Sequence, residues 1–507
     1  MAKYDIVIVG SGLGGLCCGY ILSKEGFNVC ILEKNRQLGG SLQIFSRDKA
    51  LFDTGIHYIG GLDEGQNLYR YFKYFGLMDK LKLKRMDMDA FDVITFEGDP
   101  KQYHHAQGYE NFVNVLALQF PGERENIQRY ADKVREICEY FPLYRLREDN
   151  KDLLTSSTFL ETDTKQYIES ITSNTKLRSV LAGSNPLYAG IPNRTPLYVH
   201  ALVVNTYIES SWKCIDGGAQ ISKHLSRSIK EMGGTILNYS DAKRFLFNGS
   251  NIESVELADG SRIEAKHFIS NADLSRTLEM VEGNQVRPAY RSRINGLENT
   301  ISAFIVNIVF KKESFPYLNY NCYHFATDDV WCGTTYTQET WPDGLAIFTA
   351  PNSRTGQYAD SMTVMCYMRY DEMKQWAGTR CTIPNQVEFR GEGYEAFKQE
   401  KSEKMIDLLH KRFPGIRSSI QSYSSSSPLT YRDYIGSRDG TLYGIQKDYK
   451  DPLKTFITPK TKIPNLLLTG QNLNLHGVLG VTVSSVVTCA ELCGQKDLIR
   501  KISAASN

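Results

Sequence analysis

Apolar residues fall along this chain in short, punctuated runs. Tyr4 to Val9 reads YDIVIV, a β-branched run that predicts a strand buried on both faces of a parallel sheet. Leu16 to Gly26 takes helical spacing and closes on a glycine suited to a helix end, and Asn28 to Leu32 predicts a second strand. From Gly233 to Asp273, strand-like runs alternate with the turn signals FNGS and ADGS, which predicts a hairpin ribbon with one strand at Ile236 to Ala242. Tyr109 to Tyr144 carries helical spacing broken at FPGE, so two helices are expected there. Thr300 to Phe310 and Ser361 to Arg369 read as strands, and SYSSSSP at Ser422 to Pro428 reads as a link. Near the C-terminal end an apolar strand, Pro464 to Leu468, precedes an apolar helix, Val478 to Leu492, with Gly470 in the turn between them.

Chemistry enters at the first turn. GSGLGG follows the first strand, and Gly10, Gly12 and Gly15 give the spacing of a dinucleotide loop. The first glycine makes the turn, the second admits a pyrophosphate, and the third lets helix and strand approach. Leu13 and Gly14 complete the helix start. Glu33 closes the second strand, where an acid accepts hydrogen bonds from a ribose hydroxyl and repels a 2′-phosphate. Beyond it, KNRQLGGS brings Lys34, Arg36, Gly39, Gly40 and Ser41. A second glycine turn suits a tightly held FAD of the glutathione-reductase type better than a diffusing NAD. GEG at Gly391 to Gly393 reads as a turn before a charged helix, so no second nucleotide domain is predicted.

Length and composition narrow the class. A chain of 507 residues exceeds one ordinary core, which predicts a nucleotide domain and a substrate domain. A formal net charge of +2 gives no basic footprint for nucleic acid. Eleven cysteines lack any CxxC pair, so no metal site is predicted, and reduced structural thiols are expected. The first strand begins at Tyr4 and no apolar run reaches the ~18 residues of a membrane helix, which predicts a cytoplasmic protein.

Longer motifs carry a resemblance. FDTGIHYIG at Phe52 to Gly60 and IPNLLLTGQNLNLHGVLGVTVSSVVTC at Ile463 to Cys489 resemble the retinol saturase branch of the phytoene desaturase and carotenoid isomerase flavoproteins. FPGE at Phe120, HALVVN at His200, GGAQI at Gly217, NAD at Asn271 and PLTYRDYIGSRDGTLYG at Pro428 occur in that family's order. WKCIDGG at Trp212 to Gly218 departs from the family's aromatic-proline segment, which leaves the substrate open. The resemblance implies an α/β fold: a discontinuous FAD-binding Rossmann domain from residues 1–75, 213–285 and 430–507, and an α+β substrate domain from 76–212 and 286–429. It places further flavin contacts at Gly55, Ile56 and His57, at Ala242 beside the adenine, at Gly470 and Gln471, and at the helix start including Gly480 and Val481.

The activity implied is redox chemistry on the C=C bonds of a hydrophobic polyene or other unsaturated lipid, with saturation, desaturation and isomerisation all open and the electron donor unassigned. Peripheral membrane contact follows from such a substrate. Proton delivery, where reduction needs it, points to His57 and His476, with Tyr434 and Tyr443 as weaker candidates and His200 as a core residue. The 30 tyrosines and 23 phenylalanines suit a polyene tunnel and an aromatic core equally. Two rivals keep this fold. An amine oxidase would need an aromatic pair not found here, and a lipid carrier of the Rab GDP-dissociation inhibitor type has no use for Glu33 and the paired glycines.

Overall fold

A computed structural model describes residues 3–147, 159–353, 356–381 and 390–505. Tyr4–Val9 is the axis of the first sheet. It pairs in parallel with Val29–Leu32 on one side and with Arg262–Ser270 on the other. Thr235–Leu237 extends the sheet beyond Val29–Leu32, and Leu466–Leu468 flanks Arg262–Ser270, both in parallel. Ile6, Val7 and Ile8 have no exposed surface, as a strand covered on both faces requires. The leading half of Arg262–Ser270 also pairs antiparallel with Asn251–Leu257, which pairs with Ala242–Asn248.

Helix Leu13–Lys24 crosses one face of this sheet and packs against helices Ala219–Glu231 and Gly477–Cys493. It is buried on nearly every side from Gly14 to Ser23, so its sequence shows no polar stripe from which to read its start. The helix therefore begins at Leu13, inside the glycine loop, not at Leu16. Cys17 and Cys18 fill its buried face, and all eleven cysteines are free thiols.

The second sheet is mixed. Its order is Ile420–Ser426, Ser302–Phe310, Ser361–Met368, Gly344–Thr349, Asn321–Phe325, Asp92–Phe96 and Tyr103–His105. All neighbours are antiparallel except Asn321–Phe325 with Asp92–Phe96. Helices Tyr109–Gln119, Arg124–Glu139 and Leu197–Glu209 cover it around a second core. Among the described residues no helix is long and apolar enough to cross a membrane.

Two expectations are corrected here. Ser422 to Pro428 is not a link: Ile420–Ser426 is an edge strand on Ser302–Phe310, where half-buried serines satisfy a ladder without an apolar face. The strand expected from Ile236 to Ala242 is broken in two. Tyr239 takes a positive φ of 56°, and Ser240 N–H donates to the Glu33 carbonyl, which turns the chain between the two strands.

Candidate active site

Three glycine turns meet at one end of a cavity of about 1030 Å³, around the upper bound of ~300–1,000 Å³ for a single small-molecule site. Gly10, Gly12, Leu13 and Gly14 form its first wall, at the start of helix Leu13–Lys24. Gly39 and Gly40 form the second, locked to the first by Gly39 N–H donating to the Ser11 carbonyl at 3.1 Å. Gly470, Gln471, Gly480 and Val481 form the third, at the start of helix Gly477–Cys493. Among the described residues no side chain caps either helix start, so both present free N–H donors and a positive dipole end to the cavity.

Glu33, Lys34, Ser41, Gly55, Ile56, His57 and Ala242 also border the cavity, as do His476, Tyr434 and Tyr443. The Glu33 carboxylate is buried and accepts from Ser11 N–H at 3.1 Å, Ser11 Oγ at 2.5 Å and Asn35 N–H at 2.8 Å. It thereby fixes the glycine loop against the second turn. Lys34 Nζ donates to the Asp433 carbonyl at 2.9 Å, and burial holds its pKa below the usual lysine value.

Two residues assigned to cofactor contact stand elsewhere. Arg36 is exposed outside the cavity, because its backbone carbonyl is drawn to the Asn238 amide while its side chain faces solvent. Gly15 lies behind the wall: a Cβ there would sit 2.0 Å from the Gly10 carbonyl oxygen. Its part is helix-to-strand contact.

Aromatic side chains also line the cavity. His57 stacks on Phe348 at 4.3 Å and 11°, Tyr58 stacks on Tyr207 at 4.2 Å, and Tyr443 meets His476 at 4.5 Å. His476 Nε2–H donates to the Leu187 carbonyl at 3.0 Å, and Tyr443 OH donates to the Pro186 carbonyl at 2.9 Å. Burial holds both imidazoles near a pKa of about 4, with the Lys213 charge adding to the effect at His57. At neutral pH they are uncharged flat surfaces with little acidity. Leu68, Phe141, Leu143, Tyr198, Leu202 and Val203 add apolar lining to the cavity. His200 is a core residue held between Tyr130 at 2.6 Å and Tyr188 at 2.8 Å.

The sequence reading missed a polar cluster beside this chamber. Tyr58 OH donates to Asp92 Oδ2 at 3.0 Å and meets Tyr323 OH at 2.9 Å, while Asn321 Nδ2 donates to Asp92 Oδ1 at 2.9 Å. Lys213, inside the divergent WKCIDGG segment, is fully buried and donates to the carbonyls of Leu318, Tyr320 and Thr349 at 3.0–3.2 Å. The available signal was a charged residue opening an apolar run: Asp92 before VITF, Lys213 after SW.

Fold and cavity together define a Rossmann-type α/β protein whose glycine turns and aromatic side chains line one cavity. Residues 8–75 match the NAD(P)-binding Rossmann-like domain family. Over nearly its full length the chain is similar to proteins named all-trans-retinol 13,14-reductase: the one from Rattus norvegicus is 26% identical, with 99% of this chain and 87% of the relative covered. The chloroplastic prolycopene isomerase of Daucus carota is 22% identical, with 98% of this chain and 81% of the relative covered. Among solved structures, a putrescine oxidase bound to putrescine superposes with a TM-score of 0.63 at 13% identity and 99% coverage of both chains, which shows the shared fold.

Proposed function

We propose that this chain is an FAD-dependent oxidoreductase that acts on a C=C bond of a long isoprenoid or polyene lipid, with saturase-like chemistry. The carrying observation is one cavity lined both by glycine turns with two uncapped helix starts and by apolar and aromatic side chains. The residues present fit FAD. Free N–H donors at Gly12 to Gly14 suit its pyrophosphate, Glu33 suits a ribose, and Ala242 and Lys243, which line the same cavity, would contact the adenine. The helix start at Val478 to Val481 would favour negative charge on a reduced ring.

When bound, the flavin supplies or accepts hydride. Everything else falls to the chain's own residues. His57 on Phe348 and His476 on Tyr443 give flat walls that orient a planar ligand without demanding hydrogen bonds. The apolar lining at Leu68, Phe141, Leu143, Tyr198, Leu202 and Val203 would exclude water and hold an isoprenoid tail. In this reading the flavin domain comprises residues 1–75, 213–285 and 430–507, with 76–212 and 286–429 forming the substrate domain. A substrate of this kind is delivered from a membrane surface or a carrier, so peripheral membrane contact belongs to the proposal.

The decisive experiment incubates photoreduced protein anaerobically with all-trans-retinol and with β-carotene. A gain of two hydrogens in the product mass supports saturation. Unchanged mass with altered double-bond geometry would favour the isomerase reading carried by the prolycopene isomerase similarity. A purified protein that is colourless and takes up no FAD removes both. Glu33→Gln is expected to weaken FAD affinity by about tenfold, since a hydrogen bond to a charged acceptor is worth ~1.5–3 kcal/mol. Equilibrium FAD titration of the apoprotein checks it, and equal affinity in the variant would take the ribose role away from Glu33.

A further inference from the structure

We propose that Asp92, Tyr58 and Tyr323 form the proton-delivery chain of this cavity, with the Tyr323 hydroxyl as the acid that meets substrate and Asp92 as the positioning group behind it. The inference rests on the reading of the protein as a C=C reductase. Both tyrosines border the aromatic chamber beside His57 and Phe348, and the hydroxyls and carboxyl are linked at 2.9 and 3.0 Å. Tyr58 is held by its stack on Tyr207, and Asn321 fixes the other Asp92 oxygen. The chain is therefore preorganised in both directions from Tyr58.

Asp92 has no exposed surface, and among the described residues no lysine or arginine forms an ion pair with it. A buried carboxylate without a paired cation is costly, which favours the protonated form. The groups facing it are Tyr58, Tyr207, Tyr323, Cys322 and Lys213. Lys213 spends its hydrogen bonds on three carbonyls. His105, opposite Asp92 on the neighbouring strand, is turned to the Val180 carbonyl. Burial raises Asp92 to a pKa of about 7, against smaller opposing contributions from Asn321, Tyr58 and Lys213. A cavity of about 10 Å³ bordered by Asp92, His105 and Ser184 lies behind the carboxyl, about the ~10–15 Å³ needed for one water.

The step balances as follows. With hydride supplied to one alkene carbon by a reduced flavin when bound, the π bond would break and the electron pair left on the neighbouring carbon would take the Tyr323 proton. With Asp92 protonated, its O–H donates to Tyr58 and Tyr58 donates to Tyr323, the reverse of the order around the carboxylate. Tyr323 thus recovers its proton from Tyr58, and Tyr58 from Asp92, which reprotonates from water. The alkene gains two electrons and the flavin loses two. Neither histidine, neutral at working pH, is needed as the acid.

The test uses holoprotein of wild type, Tyr323→Phe, Tyr58→Phe and Asp92→Asn. Infrared difference spectra between pH 5.5 and 8.5 read the carboxyl directly. A carboxylic C=O band that titrates in wild type, is absent in Asp92→Asn and titrates at higher pH in Tyr58→Phe is expected, because Tyr58 stabilises the carboxylate. Anaerobic reoxidation of the photoreduced protein by all-trans-retinol and β-carotene reads the proton step. Tyr323→Phe and Asp92→Asn are expected to slow it by about 100-fold, with photoreduction unchanged, and the wild-type rate is expected to fall above the pH at which the band titrates. If Asp92→Asn does not fold, the two phenylalanine variants, which keep their rings, carry the test. Wild type that saturates neither lipid overturns the reductase reading and the relay with it. Wild type that saturates either lipid while Tyr323→Phe keeps its rate, or while no carboxyl titrates, overturns the relay alone.

Discussion

Gly15→Val is expected to yield protein that neither folds stably nor retains FAD. A Cβ at this position meets the Gly10 carbonyl oxygen at 2.0 Å and its carbon at 3.2 Å. The obstructing atoms are backbone, so relief requires helix Leu13–Lys24 to move off the strand it follows. That movement would pull Gly10 and Gly14 apart, break the Gly39 to Ser11 hydrogen bond, and separate the helix from Gly477–Cys493, to which Ser485 Oγ ties it through the Gly14 carbonyl at 3.2 Å. Overpacking ordinarily costs ~1–3 kcal/mol where side chains can yield; with backbone on both sides a cost above about 4 kcal/mol is expected. Gly26→Ala is the control. Gly26 has a positive φ, 88°, which Gly15 does not, but nothing lies within 4 Å of its added Cβ, so a cost of only about 1–2 kcal/mol is expected. Flavin absorbance and thermal unfolding of the two variants separate steric from conformational effects; equal behaviour would refute the steric account.

Lys213→Met carries the second large effect. The substitution strips a donor from three carbonyls, of which Leu318 still accepts from Thr349 Oγ1 at 2.9 Å, at ~1–3 kcal/mol for each buried acceptor left unsatisfied. Partial relaxation brings the expected loss to about 3–5 kcal/mol. Burial lowers the Lys213 pKa from 10.5 to about 7, so between those values the unfolded chain binds a proton that the folded chain has released. Wild-type stability therefore rises with pH across that window, and the methionine variant lacks this rise. Asp92 acts in the opposite sense: its raised pKa makes stability fall as pH climbs from 3.8 to about 7. Urea unfolding at pH 7 and pH 9 checks the first claim, with the gap between wild type and variant expected to be larger at pH 9. A constant gap would mean that Lys213 does not titrate in this range.

The parts of this molecule that obey local rules were readable from the residues. YDIVIV, the glycine loop and Glu33 form a unit whose period, turn chemistry and order agree, and the strand lies at Tyr4–Val9 as its period predicts. Tertiary context decided the rest. The serine run at 422–426 carries no apolar signal, yet it pairs as an edge strand because its neighbour Ser302–Phe310 offers an open ladder. Arg36 closely follows Glu33 in sequence, but the turn toward Asn238 points it into solvent. Tyr58 was visible as part of TGIHYIG, whereas Asp92 and Tyr323 are brought to it by the parallel pairing of Asp92–Phe96 with Asn321–Phe325. No local pattern encodes that pairing.

The position of Leu466–Leu468 beside Arg262–Ser270 also sets a timetable for biogenesis. The first of these strands emerges from the ribosome about 200 residues after the second, a delay of roughly 10–40 s at ~5–20 residues per second. Throughout it the growing chain carries an unpaired edge at Phe268–Ser270 and a bare face on helix Leu13–Lys24, both later covered by the C-terminal strand and helix. The third glycine wall is thus the last to be synthesised, and until it arrives the nascent chain shows an open β-edge of the kind that chaperones shield.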